Sequence, residues 1–357
     1  MKRNDRPGAD RPDVSTAGDE LQGVGGNSRL VVYGDIAVDL LMQTGQLPVA
    51  GGDSEVRDYE IRPGGSAANC AIVAAGLGTP TTFLGFVGSD PFGNQLVDLL
   101  VNRGEASALG ATFDHLTVLE GKTGFTLSLI DPTGERTFLS YRGVNATGTA
   151  ADLPTDPGRT GTHLHLTGYS FQDGVSRENA NLLLEIAESA GLEVSLDPSH
   201  IFARDFRRRY RDVLKRTSVL LPNREEAILM SGRDDLEYAA QKLLESGPEA
   251  VIVKLGAAGC MIATRDSGPV RCVPALDPGR VVDTTGAGDA FSGGFLTGRI
   301  AGLSFHDSIA PALAAASVVV GSAGATTGAP TRAHLRDVLI RNGFGAVARQ
   351  LKRQREL

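Results

Sequence analysis

Cysteine, tryptophan and long apolar runs are scarce or absent in this chain. Its 357 residues include three cysteines, no tryptophan and only 5% aromatic residues. The cysteines, Cys70, Cys260 and Cys272, form no Cys-x-x-Cys pair, so we expect neither a disulfide framework nor a zinc site, and a reducing cytoplasm is the predicted compartment. No run approaches the roughly 18 apolar residues that span a bilayer, so no membrane partner is expected.

Positive charge is also in short supply. The formal net charge is −7 at pH 7, from 35 Lys and Arg against 42 Asp and Glu. Nucleic-acid phosphates are bound by clustered cations, so we expect no nucleic-acid partner. Residues 1–28 are rich in Gly, Pro, Asp and Arg without an apolar stretch, which predicts a disordered tail rather than a secretory signal. Residues 346–357 are predicted to be a basic C-terminal end.

Between these ends, over residues 29–345, short apolar runs alternate with helical patterns that mostly close on a glycine. The predicted strands are LVVYGD, TTFLGFVG, THLHLTG, LEVSLDPS, SVLLPN and AVIVKLG. The alternation predicts an α/β fold with a doubly wound, mostly parallel sheet flanked by helices. Ligands of such sheets bind beyond the carboxyl ends of the strands.

Two stretches break the alternation. SEVRDYEIRPGG and GFTLSLIDPTGERTFLSYRG alternate apolar and polar residues around turn residues. This period of two predicts antiparallel strands outside the main sheet, near residues 40–63 and 119–145. We expect them to form a small β lid.

The stretch DTTGAGDAF places two glycines and an acid at the mouth of a predicted helix. The amides of Gly286, Ala287 and Gly288, helped by the helix dipole, would favour an anion such as phosphate. A dinucleotide fingerprint is not met, because a phenylalanine takes the place of its last glycine, and the chain has no Walker A string. From the residues alone, Asp289 is either a base for a hydroxyl proton or a helix cap, and both interpretations remain open.

Two motifs together resemble a known family. DTTGAGDAFSGGF and GGSAANCAIVAAGLG are similar to the C-terminal and N-terminal signatures of the ribokinase-like (PfkB) carbohydrate kinases. The resemblance runs from about Leu30 to about Pro330. It implies ATP-dependent phosphorylation of a primary hydroxyl on a small sugar or sugar acid, with ATP, Mg²⁺ and in some members K⁺ as cofactors. It also implies a homodimer that forms through the lid.

The resemblance gives the C-terminal motif its roles. Asp289 is implied to be the catalytic base, and Gly286, Ala287 and Gly288 are implied to form the anion hole for the transferred phosphoryl group. Thr284 would hold the loop close to the nucleotide phosphates.

Further nucleotide-side roles follow from the same resemblance. The carbonyls of Asp283 and Thr285 resemble those that bind a monovalent cation, and Gly324 in SAGATTGAP resembles a residue of the adenine-side loop.

Two motifs have a structural as well as a functional interpretation. Asn223 and Glu226 in LLPNREEA resemble the family motif that organises Mg²⁺ and its waters, but the same spacing is that of a helix capping box. Lys254 and Gly256 in VIVKLGAAG resemble residues beside the nucleotide, but would equally suit a buried strand and its turn.

On the acceptor side, GDIAVDLL resembles the first-strand motif in which an acid contacts sugar hydroxyls, and Asp39 occupies that position. Asp35 is the second choice, since it could be only a turn residue. Gly64 and Gly65 would let the backbone approach the sugar, and Asn69 would present its amide to it.

The choice of acceptor stays open. Ser66 stands where ribokinases typically carry a lysine, and Tyr141 with Arg142 resembles the Tyr-Arg pair of 2-keto-3-deoxygluconate kinases, in which an Arg fork would suit a carboxylate or phosphate. Ribokinase, fructokinase, ketodeoxygluconate kinase and nucleoside kinase all remain candidates, with sugars ahead of nucleosides because aromatic residues are few. A catalytically silent sugar sensor is the alternative from another functional class, and an oxidoreductase is a distant third.

Overall fold

The structure is a computed structural model that describes residues 29–102, 111–113, 115–153, 161–172, 174–266, 268–322 and 329–353. The predicted tail over residues 1–28 and Gly324 lie outside these described residues. Within them, no helix combines the length and the apolar character needed to cross a membrane.

The main sheet contains ten strands among the described residues. They are β1 (Leu30–Tyr33), β4 (Thr81–Gly88), β5 (Ala111–Thr112), β6 (Leu116–Leu119), β9 (His163–Thr167), β10 (Glu193–Asp197), β11 (Val219–Leu220), β12 (Ala250–Lys254), β13 (Cys260–Thr264) and β14 (Arg271–Val273). Their order is β14-β13-β12-β11-β10-β9-β1-β4-β5, with β6 beside β4. Pairing is parallel from β12 to β5 and antiparallel at the β13–β14 edge.

Helices cover both faces of this sheet, so its central strands are buried and mostly apolar, apart from polar residues of β9 and β10. The helices are α1 (Ser66–Gly76), α2 (Pro91–Val97), α3 (Gly174–Ala190), α4 (His200–Arg209), α5 (Arg211–Lys215), α6 (Arg224–Ser231), α7 (Leu236–Leu244), α8 (Ala287–Ile300), α9 (Ile309–Val320), α10 (Arg332–Arg341) and α11 (Gly345–Arg353). Val31 and Tyr33 of β1 pack into the core under α3, α4, α6 and α7, whereas Leu30 and Val32 pack into the core under α1, α8 and α9. The doubly wound α/β prediction is confirmed.

The direction of winding reverses beside β1. The chain runs from β1 through α1 to β4 on one side, whereas β9, on the other side of β1, leads outward to β10, β11 and β12. Such a reversal leaves a crevice at the carboxyl ends of the two central strands, where ligands bind in folds of this class. Residues that follow β1 and β9 therefore lie at the predicted ligand site.

The predicted smaller sheet is also present. It contains β2 (Ala37–Thr44), β3 (Val56–Gly64), β7 (Gly124–Ile130) and β8 (Arg136–Tyr141), in the order β3-β2-β7-β8. The two outer pairs are antiparallel, as expected, whereas the central β2–β7 pair is parallel. Asp39, expected on the first strand, lies on β2 of this sheet.

Candidate active site

The two glycine-rich motifs meet at the mouths of α1 and α8. Gly65 and Gly286 precede these helices with φ of 97° and 73°, a conformation that favours glycine. A Cβ on Gly65 would also overlap the Asp35 carbonyl oxygen just beyond β1. Both helix mouths therefore lie at the carboxyl end of the sheet.

Asp289, in the first turn of α8, is held by two donors from α1. Its Oδ1 accepts a hydrogen bond from Ser66 Oγ at 2.6 Å, and its Oδ2 accepts one from Asn69 Nδ2 at 2.8 Å. Gly286, not Asp289, is the N-cap of α8, so the helix-cap interpretation of Asp289 is wrong. Burial raises the pKa of Asp289 to about 6, against the lowering effect of these two hydrogen bonds.

Asp39 faces the same cleft from the smaller sheet. Burial, and then the Asp289 carboxylate, raise the pKa of Asp39 to about 6, while Arg62 opposes the shift. Gly64 lies directly beneath the Asp39 side chain, because a Cβ at this glycine would overlap the carboxyl group. Gly64 immediately precedes the mouth of α1, whose Ser66 and Asn69 bind Asp289, so the two carboxyl groups face one cleft.

Lys254 lies beneath the mouth of α8, within a network that the sequence did not reveal. Its Nζ donates to Asp197 Oδ2 at 2.6 Å, and Ser292 Oγ donates to the same oxygen at 2.7 Å. A Cβ on Gly288 would lie 3.6 Å from Lys254 Nζ. Burial alone would lower the pKa of Lys254, but Asp197 and Glu226 outweigh it and the pKa is raised, so the side chain is charged. A fixed cation therefore lies under the amides expected to hold an anion.

Asn223 and Glu226 form the capping box of α6. Asn223 Oδ1 accepts from the Glu226 backbone N–H, and Glu226 Oε2 accepts from the Asn223 backbone N–H, each at 2.9 Å. Glu226 is 6% exposed, and burial, followed by the Asp197 carboxylate, raises its pKa to about 7.

No cluster of three or more His, Cys, Asp or Glu side chains in the described part of the chain could hold a metal ion alone. One carboxylate beside a nucleotide nevertheless fits Mg²⁺, which keeps several waters and takes substrate phosphate oxygens.

The loop before α8 is tied to the smaller sheet. Asp283 Oδ1 accepts from the Thr285 backbone N–H at 2.9 Å and from Arg136 Nη2 at 2.7 Å, and Arg136 is the first residue of β8. Thr284 is exposed beside this pair. Gly256, exposed with φ of 59°, opens the short turn Gly256–Ala258 after β12.

Arg142, the predicted ligand of a substrate carboxylate or phosphate, is paired with Asp35 in the structure. Its Nε and Nη2 donate to the two carboxylate oxygens of Asp35 at 2.8 and 2.7 Å, and its Nη1 donates to Ser176 Oγ at 3.4 Å. Tyr141, which is 46% exposed, places its ring 5.7 Å from that of Phe125.

Asp35, Ser66, Asp197 and Ser292 are the polar residues that sequence reasoning ranked low or missed. Asp35 lies two residues after β1 and Asp197 ends β10, so both lie at the carboxyl edge of the parallel strands, and this position is the one signal that could have identified them.

The chain is similar in sequence to known carbohydrate kinases. The sequence matches the family described as pfkB family carbohydrate kinase over residues 27–332. A fructokinase of Klebsiella pneumoniae is 32% identical over 330 residues, which cover 88% of this chain and 99% of the relative. An ATP-dependent ribose-1-phosphate kinase of Halopiger xanaduensis is 30% identical over 305 residues, which cover 85% of this chain and 95% of the relative.

Solved structures agree in fold. The ribokinase of Arabidopsis thaliana, complexed with ribose and ATP, superposes with a TM-score of 0.77 at 24% identity, covering 88% of this chain and 99% of that chain. A candidate ribokinase II of Escherichia coli, in complex with ATP and Mg²⁺, gives a TM-score of 0.76 at 24% identity with the same coverage. The fold is ribokinase-like.

Proposed function

The chain belongs to the pfkB family of carbohydrate kinases and is an ATP-dependent sugar kinase, and on this premise we propose that it phosphorylates a primary hydroxyl of a small sugar or sugar acid. One observation carries the proposal. Asp289, held by Ser66 and Asn69 beside the glycine-rich mouth of α8, shares a cleft with Asp39 of the smaller sheet. A proton acceptor, an anion site and a hydroxyl-binding carboxylate are thereby brought together.

The proposed reaction is an in-line phosphoryl transfer. Asp289 accepts the proton of the acceptor hydroxyl as its oxygen forms a bond to the γ-phosphorus and the bond from that phosphorus to the ADP oxygen breaks. The amides of Gly286, Ala287 and Gly288, with the Lys254 ammonium beneath them, stabilise negative charge on the phosphoryl oxygens. Residues after β12, including Gly256, would contact the nucleotide.

Metal ions enter the proposal through the donor sets described above. Mg²⁺, held through water near Glu226 and Asn223, would neutralise charge on the nucleotide phosphates. The carbonyls of Asp283 and Thr285 are the proposed ligands of a monovalent cation, and Thr284 would lie near the phosphates.

Asn69 supports an acceptor site on the Asp39 side. Its Nδ2 is used by Asp289, whereas its buried Oδ1 has no hydrogen-bond partner among the described residues. An orphaned acceptor of this kind is costly unless a ligand satisfies it, and a sugar hydroxyl can do so. With Gly64 and Gly65 beneath, the smaller sheet would act as a lid that excludes water from the transfer.

Replacement of the base tests the reaction. We expect Asp289→Asn to lower kcat about 10²- to 10⁴-fold, because general-base catalysis is lost, while the KM for ATP changes little. ADP release is measured with ribose, fructose, 2-keto-3-deoxygluconate and adenosine as acceptors. Asp212→Asn, which makes the same change in an exposed pair with Lys215, is the control.

Each alternative has its own outcome in this assay. An Asp289→Asn variant with near wild-type kcat would remove Asp289 from the base role. Turnover with adenosine but with none of the sugars would indicate a nucleoside kinase. A protein that binds a sugar but releases no ADP with any acceptor would be a sensor.

Two broader proposals concern compartment and assembly. All three cysteines are free, which supports a reducing compartment such as the cytoplasm. In the smaller sheet, Ile61 and Leu139 lie on the face opposite Asp39 and are 40% and 59% exposed. This apolar face supports a homodimer in which two smaller sheets pack together.

A further inference from the structure

Carboxylates dominate the charge of the cleft. Asp35 follows β1, Asp39 faces in from the smaller sheet, and Asp289 opens α8. Burial and the Asp289 carboxylate both disfavour ionisation of Asp39, and Arg62 opposes them only in part.

Tyr169 is a second group whose pKa these carboxylates affect. It follows β9, next to the winding reversal, and is 40% exposed while Gly168, Ser170 and Phe171 around it are buried. Burial raises the pKa of Tyr169, and so do the carboxylates of Asp289, Glu226, Asp35 and Asp197, in that order.

The cation paired with Asp35 is already engaged. The Arg142 guanidinium forms a two-point pair with Asp35, and the two side chains are 13% and 18% exposed. Fork-to-fork pairing of this kind satisfies the edge of the guanidinium that would otherwise recognise a carboxylate or phosphate. An anionic ligand would have to displace Asp35 and leave that carboxylate largely buried and unpaired.

We propose that this cleft selects an uncharged polyhydroxy sugar over sugar acids and sugar phosphates, and that Asp35 sets the selection by holding Arg142. The inference rests on the proposed kinase function and narrows its acceptor class. Asp35 is a positioning residue in this scheme, because it acts through Arg142.

The chemistry of the acceptor supports the same choice. Hydroxyl groups donate hydrogen bonds, and ionised carboxylates only accept them, so a neutral polyol matches Asp39 and the unpartnered Asn69 Oδ1. A carboxylate or phosphate brought beside Asp39 and Asp289 would instead be repelled, which is how like charge excludes wrong partners.

The experiment compares three acceptor classes on wild type, Asp35→Asn and Asp212→Asn. Fructose and ribose represent neutral sugars, 2-keto-3-deoxygluconate a sugar acid, and ribose 1-phosphate a sugar phosphate. We expect wild type to favour a neutral sugar over both anions by about 100-fold in kcat/KM. Asp35→Asn keeps the side-chain shape but removes the negative charge that pairs with Arg142, so we expect the preference for the neutral sugar to fall about tenfold or more.

Two results would overturn the inference. A wild-type preference for the acid or the phosphate would contradict the proposed selection of neutral sugars. An unchanged preference in Asp35→Asn would show that Asp35 does not set this selection. Asp212→Asn should behave as wild type. Acceptor binding in the presence of ADP, followed by calorimetry, reads the same ranking without turnover. Absence of turnover in the wild type with every acceptor would therefore contradict the kinase proposal, whereas tighter binding of an anionic than of a neutral acceptor by the wild type would contradict this one.

Discussion

Ser66 has a defined chemical effect on Asp289, the proposed base. Its hydroxyl donates to Asp289 at 2.6 Å, and this hydrogen bond holds the pKa of Asp289 below the value that burial alone would give. The base works only when it is ionised. We therefore expect Ser66 to extend the activity toward lower pH.

The pH profile of kcat/KM tests this role. With the pKa of Asp289 at about 6, we expect kcat/KM to fall tenfold per unit below that pH. Ser66→Ala removes a donor to the charged form, so the pKa rises and the acid limb moves upward by about one unit. Ser304→Ala, which removes a similar bond to Asp307 at an exposed site, is the control. An acid limb at the same pH in Ser66→Ala would contradict the role.

Local spacing identified the residues of the site that lie in one motif, but not the pairs that join motifs. The glycines at the mouth of α8 and the adjoining Asp289 could be inferred because a helix mouth is a short-range pattern. The Arg142–Asp35 and Lys254–Asp197 pairs join residues 107 and 57 positions apart, and nothing in the sequence records such distances. The partner of Arg142 could not be predicted for this reason, and its contact with an acceptor stays a prediction.

At the scale of elements, β9 and β10 bury a polar row within the main sheet. Ser195 Oγ lies 2.8 Å from Nε2 of His163 and 2.8 Å from Nδ1 of His165. Burial lowers the pKa of His163 to about 4 and that of His165 to about 3, so both are neutral at pH 7. Below pH 6.5 both histidines are protonated in the unfolded chain but stay neutral in the folded protein. This difference in bound protons lowers the free energy of unfolding as the pH falls.

Replacing His165 isolates this term. Asp39, Asp289 and Glu226, whose pKa values are raised, act in the opposite direction in the same range, so the difference between variant and wild type is the informative quantity. We expect His165→Leu to reduce the pH dependence of the free energy of unfolding by the equivalent of up to one proton, which is about 1.4 kcal/mol per pH unit below pH 6.5. Urea unfolding at pH 7, 6 and 5 measures it. The exposed His334→Leu should leave the slope unchanged, and an equal slope in His165→Leu would contradict the assignment.

The Arg136–Asp283 pair links the smaller sheet to the loop before α8. We expect Arg136→Gln to raise the acceptor KM about three- to tenfold, because the sheet closes less firmly over the acceptor. Steady-state kinetics at saturating ATP measure the change. Arg204→Gln, in an exposed pair with Asp205, is the matched control. Equal KM values in the two variants would show that the Arg136–Asp283 pair does not contribute to closure of the smaller sheet.

Helices and strands could be predicted from the sequence where a strand and a helix alternate along the chain. The alternation located β1, β4 and β9 to β12, because parallel strands covered on both faces are short apolar runs. The parallel β2–β7 pair was not foreseen, since the two strands belong to separate excursions of the chain. Helix α4 was also missed, because its arginine-rich last turn hides the apolar stripe of Phe202, Ala203 and Phe206.

At the scale of the whole molecule, the outer face of the smaller sheet determines the proposed assembly. We expect Ile61→Lys with Leu139→Lys to convert a dimer to a monomer, because the charges would face each other across an apolar interface. Sedimentation velocity measures the mass. Val118→Lys, at a 51% exposed position on β6, is the control. A monomeric wild-type protein would contradict the dimer without affecting the chemistry.

The parallel pair at the centre of the smaller sheet also matters during biosynthesis. β2 ends at Thr44, and its partner β7 begins at Gly124, about 80 residues later. At about 5 to 20 residues per second, the ribosome takes roughly 4 to 16 seconds to supply that partner. Throughout this interval the nascent β2–β3 hairpin carries an open edge able to pair with another chain. Aggregation of newly made protein is therefore expected to be greatest for ribosomes stalled before residue 124.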